Sequence, residues 1–192
     1  LDPYAETEIG RQQGVPPINP RSNLKKLLNT WGIDFDDKKA VLDAEYGFRI
    51  SRNINGRDIQ VTNYPWLNIR GDGLNQNESS LSNLSTIVMT TAGSFISNND
   101  KIMLEPIITS SIKSGLGDSQ MAGNPKGDPR DLLSDIKAKD QKHIVSGWIK
   151  SDLKTSFQNF KKSDDTEQLM KSTDKSNILL VSDADMLMDR NW

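Results

Sequence analysis

The feature that most constrains the fold is an unbroken apolar run near the end of the chain, Ile178 to Val181, followed by Ser182-Asp183-Ala184-Asp185. Four consecutive apolar residues are typical of a strand that is buried on both faces, as in the middle of a parallel sheet. Small and acidic residues after such a run suit the exit from a strand and the start of a helix. The run therefore predicts an α/β fold with a mostly parallel central sheet.

The ends of the predicted strands carry polar side chains. The strand from Lys39 ends in Asp43, and the strand from Ile107 ends in two serines. In open α/β sheets, ligands bind in a crevice at the carboxyl ends of the strands. We therefore expect any ligand-binding surface to lie near five residues, Asp43, Ser110, Ser111, Asp183 and Asp185.

The acidic residues after the last strand allow other interpretations. Several nucleotide-sugar transferases bind a divalent cation through an Asp-x-Asp in this position, and Asp183, Asp185 and Asp189 offer the hard oxygen ligands that suit Mg²⁺ or Mn²⁺. The phosphatase-like haloacid dehalogenase signature also begins with Asp-x-Asp, but it requires Thr or Val where Met186 stands. The simpler interpretation is that Asp183 and Asp185 cap the next helix. We therefore predict no metal, and keep an Mg- or Mn-dependent enzyme of either kind as the alternative.

Other catalytic patterns are missing from the sequence. The chain has no cysteine, which excludes disulfides, thiolate metal sites and cysteine nucleophiles. His143 is the only histidine, and it begins a predicted strand with no Gly-x-Ser-x-Gly nucleophile turn nearby. Gly115 and Gly117 do not belong to a phosphate-binding Gly-x-x-x-x-Gly-Lys-Ser/Thr loop. We predict no catalytic residue and no cofactor.

The distribution of charged and apolar residues indicates which kinds of partner the chain can have. The 24 Lys and Arg residues and 26 Asp and Glu residues are spread along the chain, so no clustered basic face points to nucleic acid. No apolar run reaches the roughly 18 residues of a membrane-spanning helix. The beginning at Leu1-Asp2-Pro3 is similar to the end of a strand, which indicates that residues 1–192 are a single fragment of a larger domain.

Local signals divide this fragment. Apolar residues at helical spacing predict a helix over Leu24 to Trp31, closed by Gly32. Asn53-Ile54-Asn55-Gly56 predicts a β-hairpin, within a β-rich insertion at about residues 44–111. The glycine-rich stretch at about residues 113–128 is expected to form a mobile loop.

Leu27 to Phe35 ends a predicted helix with a Trp-Gly pair, and Ile178 to Trp192 joins the last predicted strand to an acidic segment. These segments and others, in the right order along the chain, resemble the auxiliary components of ABC transporters related to the gliding-motility protein GldG. Ser182, where glycine is more usual, and Asn191, where an aromatic residue is common, depart from the pattern. Three shorter segments also match, Tyr64-Pro65-Trp66-Leu67, Arg70-Gly71-Asp72 and Leu1-Asp2-Pro3.

This resemblance implies a place and a role for the chain. It implies an extracytoplasmic region on the periplasmic face of a bacterial inner membrane, anchored by helices outside this sequence and working with an ABC permease and ATPase. It also implies a core similar to a glutamine-amidotransferase-like or flavodoxin-like α/β layer that lacks a nucleophile. We therefore expect a non-enzymatic interaction or ligand-binding domain.

Overall fold

A computed structural model describes residues 1–6, 20–54, 56–99, 102–124, 127–136, 141–157, 170–172 and 175–188. The expectations for Asp189 and for the segment that ends at Trp192 lie outside these ranges. The helices are α1 (Lys25–Trp31) and α2 (Ser119–Ala122). The strands are β1 (Ile33–Phe35), β2 (Lys39–Asp43), β3 (Gly47–Ile54), β4 (Arg57–Arg70), β5 (Thr86–Thr90), β6 (Phe95–Ser97), β7 (Leu104–Thr109), β8 (Ser114–Asp118), β9 (Ile144–Ser151) and β10 (Ser176–Val181).

The strands form three sheets in the described part of the chain. The largest sheet has the order β1-β6-β9-β10, and β7 also pairs with β9. The second sheet consists of β2 and β8, and the third has the order β3-β4-β5. All of these pairings are antiparallel. The predicted α/β fold with a mostly parallel sheet, whether flavodoxin-like or glutamine-amidotransferase-like, is therefore wrong.

The strand on which that prediction rested shows why it failed. β10 pairs antiparallel with β9, from Ser176 opposite Ser151 to Val181 opposite Ser146. Leu180 is buried and packs with α1 in one core cluster, whereas Leu179 is 46% exposed on the opposite face. The apolar run is thus buried mainly on one face, and it lies at the end of its sheet in the described strand order.

The connections between strands also favour antiparallel pairing. A parallel neighbour needs a crossover of a dozen or more residues, usually a helix. The helices described here have only seven and four residues. The turn between β3 and β4 is a short hairpin in which Gly56 has a φ of 76°, so the predicted hairpin is confirmed. None of the described helices is long and apolar enough to cross a membrane.

Two larger clusters of apolar side chains form most of the core. One lies between the sheet of β3, β4 and β5 and the strands β7 and β9, and includes Leu67, Ile69, Met89, Ile107 and Val145. The other lies under α1.

The predicted helix is confirmed, since α1 buries Leu28 and Trp31 and ends at Gly32 with a φ of 68°. Residues 113–128, expected to form a mobile loop, contain β8 and α2.

The two faces of β10 can be distinguished by mutation. Leu180→Ala is expected to lower the free energy of unfolding by about 2 kcal/mol, because it removes buried methyl groups from the cluster under α1. Leu179→Ala, the matched control on the exposed face, is expected to cost less than about 1 kcal/mol. Urea denaturation measures both values, and equal losses would contradict the one-sided burial of β10.

Candidate functional site: two groups of buried aspartates

Asp43 is the centre of the first group. It ends β2 and is fully buried. Its Oδ2 accepts a hydrogen bond from the backbone N–H of Ser111 at 2.6 Å, and its Oδ1 accepts one from the Ser111 hydroxyl at 2.8 Å. Oδ1 also accepts from the backbone N–H groups of Glu45, at 2.8 Å, and Tyr46, at 2.9 Å. Asp43 thus joins the turn after β2 to the segment after β7.

Ser110 belongs to the same region but not to the same contacts. Its hydroxyl lies 2.8 Å from the hydroxyl of Ser114 and accepts a hydrogen bond from the backbone N–H of His143 at 2.8 Å. The Ser114 hydroxyl donates to the carbonyl of Ser111 at 2.6 Å. Ser110, Ser111 and Ser114 are all buried, so these hydroxyl groups serve contacts inside the fold.

Asp183 is the centre of the second group. It follows β10, and its Oδ2 accepts from the backbone N–H of Thr90 at 2.6 Å. Its Oδ1 accepts from the backbone N–H groups of Asp185, at 2.7 Å, and Met186, at 3.2 Å. These two donors begin the short 3₁₀ helix Asp185–Leu187. This is the type of contact that the capping interpretation predicts for Asp183.

A third carboxylate, from the beginning of the chain, completes the second group. Asp2 is buried, and its Oδ2 accepts from the backbone N–H of Ala184 at 2.8 Å. In the other direction, Asp185 Oδ2 accepts from the backbone N–H of Glu6 at 2.7 Å. Asp2, Asp183 and Asp185 each offer an oxygen atom within 4.8 Å of the others. We call these three residues the carboxyl cluster.

Burial dominates the electrostatics of this cluster. Desolvation raises the pKa of Asp2 to about 7, although the backbone N–H groups of Ala184 and Tyr4 oppose the shift. Desolvation also raises the pKa of Asp183 well above its usual value, and the negative charge of Asp2 adds to this shift. Burial therefore opposes the charged forms of both side chains, whereas their backbone N–H partners favour those forms.

The oxygen atoms of the carboxyl cluster already have hydrogen-bond partners. Together they accept six backbone N–H groups, from Tyr4, Glu6, Thr90, Ala184, Asp185 and Met186. Such bonds satisfy buried carboxyl oxygens without a metal ion. The arrangement is therefore explained by the joining of three chain segments, and the prediction that no metal binds here stays a prediction.

The five predicted site residues fall into two places. Asp43 and Ser111 are in direct contact, with Ser110 beside them, and Asp183 lies beside Asp185. Among the described residues, no hydrogen bond joins the first group to the carboxyl cluster. All five residues are at most 4% exposed. Ligand contact by these residues stays a prediction.

Three residues in or beside these groups were not among the predicted site residues. Asp2 was interpreted only as part of a strand end, although its Oδ1 accepts from the backbone N–H of Tyr4 at 2.7 Å, a short-range turn that aspartate favours. Thr90 contributes a backbone N–H, for which no sequence signal exists. Ser182, noted as a departure from glycine, places its hydroxyl 2.9 Å from the carbonyl of Gly93 and 2.8 Å from that of Val145.

Comparison with known proteins identifies the family. Residues 1–192 match a family described as an ABC-type uncharacterized transport system. No curated protein and no solved structure matches the chain significantly. The match covers the whole chain, including the segments that carry both groups of buried aspartates. The chain therefore belongs to this family of auxiliary components of ABC-type transport systems.

Proposed function

We propose that this chain is a non-enzymatic, extracytoplasmic part of an auxiliary component of an ABC transport system, related to the gliding-motility protein GldG. In this proposal it works with an ABC permease and ATPase, and it contacts the permease or a ligand of the transporter on the periplasmic face of a bacterial inner membrane. Membrane helices outside this sequence anchor it. The observation that carries the proposal is the family match over residues 1–192.

The buried side chains support a role in recognition rather than in chemistry. Asp43 and the carboxyl cluster accept backbone N–H groups from distant parts of the chain, so their oxygens fix the path of loops. The sole histidine donates its backbone N–H to Ser110. These buried groups are thus explained by their role in the fold, and they need no catalytic role to account for them.

An open cleft beside α1 supports the ligand-binding form of the same role. Its volume is about 410 Å³, which lies in the range of small-ligand pockets. The cleft is lined by Leu28 and Phe35 and by charged side chains of both signs, Lys25, Lys38, Asp34, Asp36 and Asp37. In contrast to the five buried strand-end residues, most of these side chains are accessible from solvent.

The periplasmic location can be tested with cysteines introduced into residues 1–192, which contain none. In intact cells with a permeabilised outer membrane, Met103→Cys is expected to react with a membrane-impermeant maleimide, since Met103 is 60% exposed. Leu104→Cys, the neighbouring control, is expected to stay unlabelled because Leu104 is only 9% exposed. Labelling of Met103→Cys only after lysis of the inner membrane would contradict the proposed location.

The association with a transporter needs its own measurement. The protein that contains this chain, tagged and expressed in its native host, is expected to co-purify with an ABC permease and ATPase after mild crosslinking. A tagged periplasmic protein of unrelated function, anchored in the same membrane, serves as the control. Recovery of the chain without any transporter subunit, under conditions where permease and ATPase recover each other, would refute the proposed association.

A further inference from the structure

Three consecutive elements of the chain line the open cleft beside α1. They are α1 itself, the strand β1, and residues 36–38, which form the turn between β1 and β2. The backbone N–H of Lys39 donates to the carbonyl of Asp36 at 3.1 Å and closes this turn. Lys25 lies on α1, Asp34 on β1 and Lys38 on the turn, so each element contributes a charged side chain to the same cleft.

Hydrogen bonds hold the three carboxylates of the cleft in place. Asp37 Oδ2 accepts from the side-chain amide of Asn23 at 2.7 Å, and Asp36 Oδ1 accepts from the backbone N–H of Lys38 at 3.0 Å. Asp34 accepts from an asparagine side chain in the same way. Each bond uses one oxygen of its carboxylate, and the second oxygen accepts none in the described part of the chain. The second oxygens are therefore open to a ligand.

The two lysines of the cleft do not neutralise these carboxylates by direct contact. No ion pair in the described part of the chain includes Lys25 or Lys38. Both side chains are exposed, as are those of Asp34 and Asp36. Opposite charges thus line one cleft without touching, and a ligand that carries both a cation and an anion makes charge-assisted hydrogen bonds to both kinds of group.

The cleft also has an apolar and a neutral polar component. Leu28 is only 1% exposed, whereas Phe35 is half-buried and supplies most of the apolar surface that a ligand reaches. The ring of Phe35 packs at 5.1 Å from the ring of Phe95, which fixes its position. The side-chain amide of Asn29 offers one acceptor and two donors, which match the carbonyl and N–H of a peptide bond.

We propose that this cleft binds a short zwitterionic peptide. Lys25 and Lys38 attract its C-terminal carboxylate, and Asp34 and Asp36 bind its amino group. An apolar side chain of the peptide packs against Phe35. This inference rests on the ligand-binding form of the proposed function, because it names a class of ligand for the same cleft.

The charges of the cleft disfavour other classes of ligand. A ligand with only an anion leaves the three carboxylates without a partner, and a ligand with only a cation leaves the two lysines without one. An uncharged apolar ligand displaces water from five charged groups and returns no bond to them. The volume of about 410 Å³ suits a ligand of a few residues rather than a folded partner.

An NMR titration of the purified, isotope-labelled full chain tests the proposal with three matched probes. The dipeptide alanylphenylalanine carries both charges, its N-acetylated form carries only the anion, and its C-terminal amide carries only the cation. We expect the dipeptide to shift the backbone amides of Asn29, Phe35 and Lys38 in a saturable way at millimolar concentration. We expect it to bind at least about threefold more tightly than either blocked form.

Two pairs of substitutions assign the two ends of the ligand. The chain with Lys25→Gln and Lys38→Gln is expected to lose the preference for the dipeptide over its amide, and to keep the preference over the acetylated form. The chain with Asp34→Asn and Asp36→Asn is expected to show the reverse. All four positions are exposed, so both chains keep the fold. Lys26→Gln, next to Lys25 but outside the cleft lining, is the control and is expected to retain the wild-type affinity.

Three results would overturn the proposal. Unshifted amides at Asn29, Phe35 and Lys38 would show that the cleft takes no such peptide. Equal binding of the three probes would show that the terminal charges are not recognised. The same loss for all probes in both substituted chains would show that the lysines and the aspartates do not bind opposite ends. Each of these results is separate from a failed co-purification, because peptide binding to the purified protein needs no transporter subunit.

Discussion

Replacement of Asp43 by alanine is expected to lower the free energy of unfolding by about 3–5 kcal/mol, because four buried or half-buried donors lose their acceptor. These donors are the N–H and hydroxyl of Ser111 and the backbone N–H groups of Glu45 and Tyr46. Each buried donor that is left unsatisfied costs about 1–3 kcal/mol, and the four costs do not add fully because the loops relax. Urea denaturation, followed by tryptophan fluorescence, measures the loss.

Two further variants show whether the loss comes from these contacts. Asp43→Asn keeps one acceptor oxygen and is expected to lose about half as much. Asp58→Ala, the control at an exposed position near the start of β4, removes an acceptor that receives the side-chain amide of Asn53 at 2.9 Å, and is expected to cost less than about 1 kcal/mol. If the Asp43→Ala chain is as stable as the wild type, Asp43 does not have this structural role, and its predicted contact with a ligand is favoured.

The elements that could be predicted from the sequence are those whose signals are local. The helix α1 is marked by apolar residues at a spacing of three and four and by Gly32, and the hairpin of β3 and β4 by Asn55-Gly56. Asp128 before Pro129 marks the start of the short 3₁₀ helix Pro129–Asp135, where the Asp128 side chain accepts the backbone N–H of Arg130. In α1 and in the 3₁₀ helix, the residues that specify the conformation are the residues that adopt it or adjoin it.

The residues of a single strand do not show which other strand it pairs with, or in which direction. Four apolar residues in a row fit a strand that is buried on both faces, and they fit equally a strand with one face exposed. The difference is made by what packs on the second face, and Leu179 has little packed against it. The sheet direction follows from the connections, which include no helix long enough for a parallel crossover in the described part of the chain.

The distant hydrogen-bond partners of the predicted site residues could not be predicted from the sequence either. The polar residues after strands could be named from the sequence, but each of two aspartates also accepts from a distant residue, 68 positions away for Asp43 and 93 for Asp183. Thr90 takes part through its backbone N–H, which every residue except proline possesses, so its identity carries no signal. The placement of Asp2 in the carboxyl cluster likewise depends on the tertiary fold.

Gly115→Ala is expected to lower the free energy of unfolding by about 3 kcal/mol or more, at the upper end of overpacking effects. Gly115 lies in β8 opposite Leu42 of β2, and a Cβ atom there would lie 2.1 Å from the carbonyl oxygen of Asp135. That atom belongs to the backbone of the 3₁₀ helix Pro129–Asp135, so no side-chain rotation relieves the clash. Thermal or urea denaturation measures the loss.

Two neighbouring glycines provide graded controls. At Gly117 the nearest atom to a new Cβ is the tip of the Leu42 side chain, at 2.5 Å, which can rotate away, so Gly117→Ala is expected to cost about 1–2 kcal/mol. At Gly127 the nearest atom is 3.3 Å away, and the change is expected to be within about 1 kcal/mol of zero. The order of the three losses follows the rigidity of the neighbouring atom.

The sign of the Gly115→Ala effect also decides between two descriptions of residues 113–128. In a mobile loop, replacing glycine by alanine restricts the unfolded chain and stabilises a protein by about 0.4–1 kcal/mol where the native backbone tolerates it. In a strand packed against the backbone of Asp135, the same change must push β8 and the 3₁₀ helix apart. A stabilised Gly115→Ala variant would therefore support the predicted mobile loop. A strongly destabilised variant would support a β8 that is packed against the rest of the domain.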